Sequence, residues 1–170
     1  MKTPILVISL CLLSFPLSKV TAQGLEIYQV KKSYPNSNHL KAGDSCLYCF
    51  YPDKTVLYDT ALIKETDIEY FDWDKQMIGL KESGIQKLGI PKIPLQGLAV
   101  ALCIDKEPIY GFWLWNIVSS FGSDWVLAFV YPGSNRLKLD AGLPKTTLKE
   151  NDPRQNEKLK KYLTDIGMIK

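Results

Sequence analysis

The sequence predicts an α+β fold, with a single mostly antiparallel sheet, a short central helix, and a C-terminal amphipathic helix packed on one face. Three observations carry this. Segments of strand length and composition recur along the chain between clusters of turn formers. One of them, Leu98 to Ile104, is apolar throughout, as expected of a central strand covered on both faces. The stretch that begins at Asp152 carries both the start and the stop signals of a helix.

The first 22 residues read as a cleavable secretory signal. Lys2 precedes an uncharged, mostly apolar run from Ile5 to Leu17, and Val20 and Ala22 stand three and one before the proposed cut, where signal peptidase takes small residues. The run is about 13 residues, whereas a membrane-spanning helix needs about 20. Cys11 lies inside the run without the small residue directly before it that a lipoprotein signal would show. Cleavage after Ala22 leaves residues 23–170 as one α+β domain, long enough to bury a core. No later segment is apolar for long enough to cross a membrane.

Leu25 to Val30 largely alternates apolar and polar residues and predicts a half-buried strand. Near residues 31–44, Pro35, Asn36, Asn38 and Gly43 predict a mobile loop. Cys46 to Tyr51 and Thr55 to Tyr58, separated by Pro52-Asp53-Lys54, predict a hairpin. Ile68 to Trp73 and Met77 to Leu80 predict a second. Ile85 and Leu88 at helical spacing, with Gly89 and then Pro91 and Pro94, predict a short helix over Lys81 to Leu88. Ile109 to Leu114 follows the turn that begins at Asp105, and Val126 to Tyr131 forms a further strand. In the last helix Asp152 is the expected N-cap, Pro153 the first residue, Gln155 the reciprocal cap and Gly167 the stop. Leu159, Tyr162, Leu163 and Ile166 form its apolar stripe.

Charge excludes more than it suggests. Without Lys2 and Lys19 the chain holds 19 basic and 18 acidic side chains, so nothing predicts a nucleic-acid partner, which needs clustered cations. There is no Gly-x-Gly-x-x-Gly or Gly-Lys-Ser/Thr pattern, so no nucleotide cofactor is expected. His39 is the sole histidine, which leaves Ser119 and Ser120 without an evident base and leaves Cys46, Cys49 and Cys103 short of a zinc set. No catalytic or metal residues are therefore assigned. Glu65, Asp67, Glu69, Asp72 and Asp74 form an acidic run. Strand alternation assigns several of them to one solvated face; a hydrolase would need two of Asp67, Asp72 and Asp74 in one cleft.

Two features remain. Cys46-Leu47-Tyr48-Cys49 has the Cys-x-x-Cys spacing of a redox disulfide. A strand over these residues would place the two Cα atoms roughly 10 Å apart, beyond the ~7 Å limit for bridging; one cysteine is then expected to be buried or paired with Cys103. In the aromatic strand Tyr110 to Trp115, Phe112 and Leu114 share one face, and Trp113 and Trp115 the other. With Trp125 ten residues on, the tryptophans form a candidate ligand surface if the sheet is covered on one side only, and core if the helices cover them.

Ile63 to Ile68 with Tyr70-Phe71-Asp72-Trp73, Pro108 to Trp113, Ile117 to Ser120 and Asn151 to Arg154 together resemble a family of uncharacterised exported bacterial proteins, from about Thr60 to the C-terminus. A second similarity, at Asp67-Ile68, Gly84 and Leu98 to Ile104, is to the periplasmic domain of the SecD translocation subunit, and implies an α+β architecture. The first resemblance implies no activity. The expected function is that of a non-enzymatic exported domain, periplasmic or extracellular, binding a protein, a peptide or a small envelope ligand without a cofactor. The alternative is a thiol-disulfide redox protein using Cys46 and Cys49.

Overall fold

The computed structural model describes residues 24–31, 48–89, 93–142 and 152–170. The expected signal segment, the expected mobile loop near 31–44 beyond Lys31, His39 and Cys46 lie outside the described residues. In chain order the elements are β1 (Leu25–Val30), β2 (Leu57–Ile63), β3 (Ile68–Asp72), β4 (Met77–Leu80), α1 (Glu82–Gly89), β5 (Leu98–Ile104), β6 (Glu107–Asn116), β7 (Leu127–Val130), β8 (Arg136–Lys138) and α2 (Glu157–Asp165).

The fold is α+β, but two sheets replace the single one expected. Five strands are ordered β2-β1-β5-β6-β7, and three are ordered β3-β4-β8. All pairs are antiparallel except β6 with β7. The β3–β4 hairpin is where the sequence predicts it, yet it does not extend the large sheet. Its apolar residues Ile68, Phe71, Ile78 and Leu80 instead join one face of that sheet in a shared core. Period-two alternation reports that a hairpin has a buried side, not whether it pairs edge-on or packs face-on.

That core takes Leu25 and Ile27 from β1, Val100, Leu102 and Ile104 from β5, and Tyr110, Phe112 and Leu114 from β6. Leu88 of α1 and Leu159 and Leu163 of α2 pack into it, so both helices lie on this face. The opposite face of the large sheet is a second apolar cluster, with Tyr28, Val30, Phe50, Ala99, Ala101, Cys103, Trp113 and Trp115. Its composition has a packing logic: β5 contributes only small side chains here, which leaves room for rings from neighbouring strands.

β5 is the middle strand, as its continuous apolar run predicts. Its hairpin to β6 turns at Asp105 and Lys106, both with positive φ (52° and 67°), the backbone form that a two-residue hairpin turn needs. Asp105 tolerates it while locked to Gly24: its N–H donates to the Gly24 carbonyl at 3.0 Å, and its Oδ1 accepts from the Gly24 N–H at 2.8 Å.

Several boundaries differ from expectation. Tyr48 to Tyr51 is not a strand and leads into a 3-10 turn at Pro52–Lys54, so the first hairpin is absent and β2 runs on to Ile63. β1 is buried on both sides rather than half-buried, because it lies between β2 and β5 with a cluster on each face. β8 escaped notice because it has only three residues, of which Leu137 alone is buried. Asp152 caps a 3-10 turn, Pro153–Gln155, and Asn156 caps α2 by accepting from the Leu159 N–H. In the apolar stripe of α2, Leu159 and Leu163 are buried but Ile166 is exposed.

The two sheets are joined. Beyond β8, Leu139 N–H donates to the Gln76 carbonyl, while Asp140 exchanges both backbone bonds with Leu127 of β7. At the far side, Phe71 and Trp73 of the β3 edge bond the backbone of Met168 and Lys170. No helix among the described residues is long and apolar enough to cross a membrane.

Candidate binding surface

The tryptophan face of β6 is covered. Trp113 is 8% and Trp115 0% exposed, and Trp125 is half-buried. The cover is neither open solvent nor the helices, which lie on the other face. It is the segment Tyr48–Phe50. The Tyr48 ring stands edge-on to Trp113 and Trp115, with centroids 5.1 and 5.5 Å away. Trp113 Nε1 donates to the Tyr48 carbonyl at 2.9 Å, and the Tyr48 N–H donates to Asp124 Oδ1 at 3.0 Å. Burial, with the Asp124 charge adding to it, pushes the Tyr48 phenol above its usual range. Trp125 Nε1 donates to the Gly111 carbonyl.

Of the large apolar side chains that are exposed among the described residues, four lie in the two loops at the open end of the β5–β6 pair. The loop entering β5 exposes Leu95, and the loop leaving β6 exposes Ile117, Val118 and Phe121, at 47, 47, 76 and 51%. β5 and β6 pair with Leu98 opposite Leu114, so the two loops meet. They are tied by Asn116 Nδ2 to the Ile93 carbonyl at 3.2 Å and by Ser119 Oγ to the Leu95 carbonyl. Within the second loop, the N–H groups of Val118, Ser119 and Phe121 all find acceptors on Asn116 or Ser119. Trp115 Nε1 donates to the Phe121 carbonyl at 3.2 Å. The apolar tip is therefore a constrained turn. Beside it opens a cleft of about 340 Å³ walled by Trp115, Phe121, Leu127, Phe129 and Asp140.

Cys49 is disulfide-bonded, and Cys103 is a free, buried thiol. The expected alternative pairing with Cys103 is therefore not formed. Because Tyr48–Tyr51 is not a strand, the 10 Å separation argued for Cys46 and Cys49 has no basis in this backbone. Cys103 lies opposite Glu26 across β1 and β5. Burial, reinforced by the Glu26 charge, pushes its thiol up to about 12. On the same face the Tyr28 hydroxyl donates to Glu26 Oε2 at 2.7 Å, and burial together with that bond raises the Tyr28 phenol.

The acidic run does not converge on one cleft, and Asp67 and Asp72 are buried rather than solvated. Asp67 accepts from the Lys64 N–H, Ser83 Oγ and Lys87 Nζ. Burial alone would raise its carboxyl, but these bonds and the Lys87 charge outweigh it and hold the group below its usual range. Asp72 is bonded by Lys75, and Asp74 is exposed. Glu65 and Glu69 line a shallow hollow with Lys81, but Glu65 Oε2 is already held by the Leu25 N–H and the Tyr162 hydroxyl. Among the described residues no three His, Cys, Asp or Glu side chains are grouped to hold a metal.

Sequence reasoning passed over Leu95, Ile117, Val118 and Phe121. The available signal was three large apolar residues in a loop otherwise made of Asn, Ser and Gly, where no periodicity requires them. No family model, curated protein or solved structure matches the chain.

Proposed function

We propose that the chain is a non-enzymatic exported binding domain, and that its binding surface is the apolar tip at the end of β5 and β6 together with the adjoining cleft. The observation that carries this reading is the exposure of Ile117, Val118 and Phe121 on a turn whose polar groups bond one another. Contiguous exposed apolar area of this kind marks an interaction surface more often than chance on a soluble domain. Trp115 contributes a cleft wall, while Trp113 and Trp125 act from beneath, holding the Tyr48 segment and the β6 backbone. The partner is a protein, a peptide, or an apolar envelope component, bound without a cofactor. Titration with anilinonaphthalene sulfonate tests the surface: saturable fluorescence is expected, reduced severalfold in Phe121→Ser at unchanged melting temperature. Dye binding that ignores this substitution would remove the assignment.

The disulfide at Cys49 supports a second reading, a thiol-disulfide protein using Cys46 and Cys49. Against it stands the absence of a helix directly after Cys49, since Pro52–Lys54 forms only a 3-10 turn and a redox thiol usually draws its low pKa from a helix N-terminus. Thiol titration at controlled potential separates the two readings. A Cys46–Cys49 bridge that reduces and re-forms near the potentials of disulfide oxidoreductases would favour the redox role.

A further inference from the structure

We propose that the apolar tip is a membrane-contacting finger: Leu95, Ile117, Val118 and Phe121 enter the interfacial layer of a lipid bilayer, whatever the charge of its headgroups. The inference rests on the reading of this tip as the binding surface and names its partner.

Two properties point to lipid rather than to a protein groove. The first is charge. Residues 93–97 and 116–123 contain no ionisable side chain, in a chain where 23% of residues are charged. A hydrocarbon boundary is neutral and rejects ions, and the apolar stretches are neutral between Lys92 on the one side and Asp124 on the other. The second is hydrogen bonding. A loop that enters lipid must satisfy its own backbone, because the bilayer offers no water to replace lost partners. Val118, Ser119 and Phe121 N–H groups are bonded within the loop, as are the Asn116 and Ser119 side chains. Ile117 and Val118 are adjacent in sequence yet both exposed, and the ring of Phe121 is exposed beside them. A fluid layer can receive side chains that diverge from a turn, whereas a protein pocket must be shaped to each.

The lack of lysine and arginine in the tip makes the expected attachment insensitive to salt, unlike that of polybasic surfaces. It is also weak and reversible, because only a few side chains insert.

The test uses the processed chain, residues 23–170, carrying Val118→Cys labelled with an environment-sensitive nitrobenzoxadiazole dye, and Glu82→Cys on α1 labelled as the reference. With phosphatidylcholine vesicles the dye at position 118 should brighten and shift to the blue, while that at position 82 should not. The same response is expected with phosphatidylglycerol added and at raised salt. Phe121→Ser in the labelled chain should weaken partitioning by about tenfold, the order expected from removing one buried apolar side chain; thermal melting confirms that it still folds. No change at position 118 with either vesicle overturns the proposal. So does binding confined to anionic vesicles and abolished by salt. A vesicle-independent dimer, detected by light scattering and dissociated by Val118→Asp, also overturns it while leaving the tip as a binding surface. If anilinonaphthalene sulfonate also fails to recognise the tip, the binding-surface reading falls as well.

Discussion

The ring of Phe50 lies across Gly111, in the space that a Cβ at residue 111 would occupy. β6 therefore needs glycine at a strand position where every other residue could otherwise be large, and it needs it because a segment from far earlier in the chain packs there.

Gly111→Ala should consequently lift Phe50 off the sheet or bend β6, at a cost of about 1–3 kcal/mol, read as a lowered denaturation midpoint. Combining it with Phe50→Ala should cost less than the two single changes summed, because the second removes what the first collides with. Strict additivity would mean that the ring does not constrain Gly111.

The ion pair of Asp67 with Lys87 should give stability a pH dependence of definite sign. The folded carboxyl lies below its ordinary 3.8, so its contribution is full above that value and fades as pH falls through the folded one. At pH 7, Asp67→Asn should lose about 1–3 kcal/mol of stability. Urea midpoints of the two proteins should converge as pH drops below about 4; a gap that persists under acid would assign the loss to packing or to the Lys64 and Ser83 bonds.

Cys103 should be silent in the folded protein. With its thiol pushed up to about 12 by burial, the reactive thiolate is scarce at pH 8. Ellman's reagent should find this thiol only after denaturation, and prompt labelling of the native protein at Cys103 would contradict its burial.

Reducing the disulfide at Cys49 should loosen Tyr48–Phe50 from the tryptophans they cover. Acrylamide quenching should rise and emission shift to the red on adding a dithiol, with the secondary structure retained. Unchanged quenching would show that the segment's ring contacts and hydrogen bonds hold it without the disulfide.

Short-range patterns carried the strands β4, β5 and β6, the position of α1, and the division of Phe112 and Leu114 from Trp113 and Trp115. Each depends on side-chain period alone. What covers the tryptophans was not legible, because the answer is Tyr48 and Phe50, and no local pattern says where a segment without regular structure will dock. The second sheet was hidden for a similar reason: Ile68 and Phe71 announce a buried side but not the surface they meet. At the tip, Ile117 and Val118 were visible as residues, but their exposure depends on a turn fixed by Asn116 and Ser119. Asn156 displaced Asp152 as the cap of α2 because both can accept a backbone N–H, and sequence alone does not rank them.

The segment from Arg136 to Asp140 pairs with β4 on one side and touches β7 on the other. A chain emerging from its N-terminus can thus close neither the β4 edge of the small sheet nor the β7 edge of the large one until residue 140 is free, although most of the strands have been made by then. The partners it joins are far apart in sequence, so closing them carries the entropy of long loops and should make final assembly slow and nearly all-or-none. Such a chain remains threadable for as long as its late strand is withheld, and the β3 edge stays open longer still, until Met168 and Lys170 arrive to bond Phe71 and Trp73.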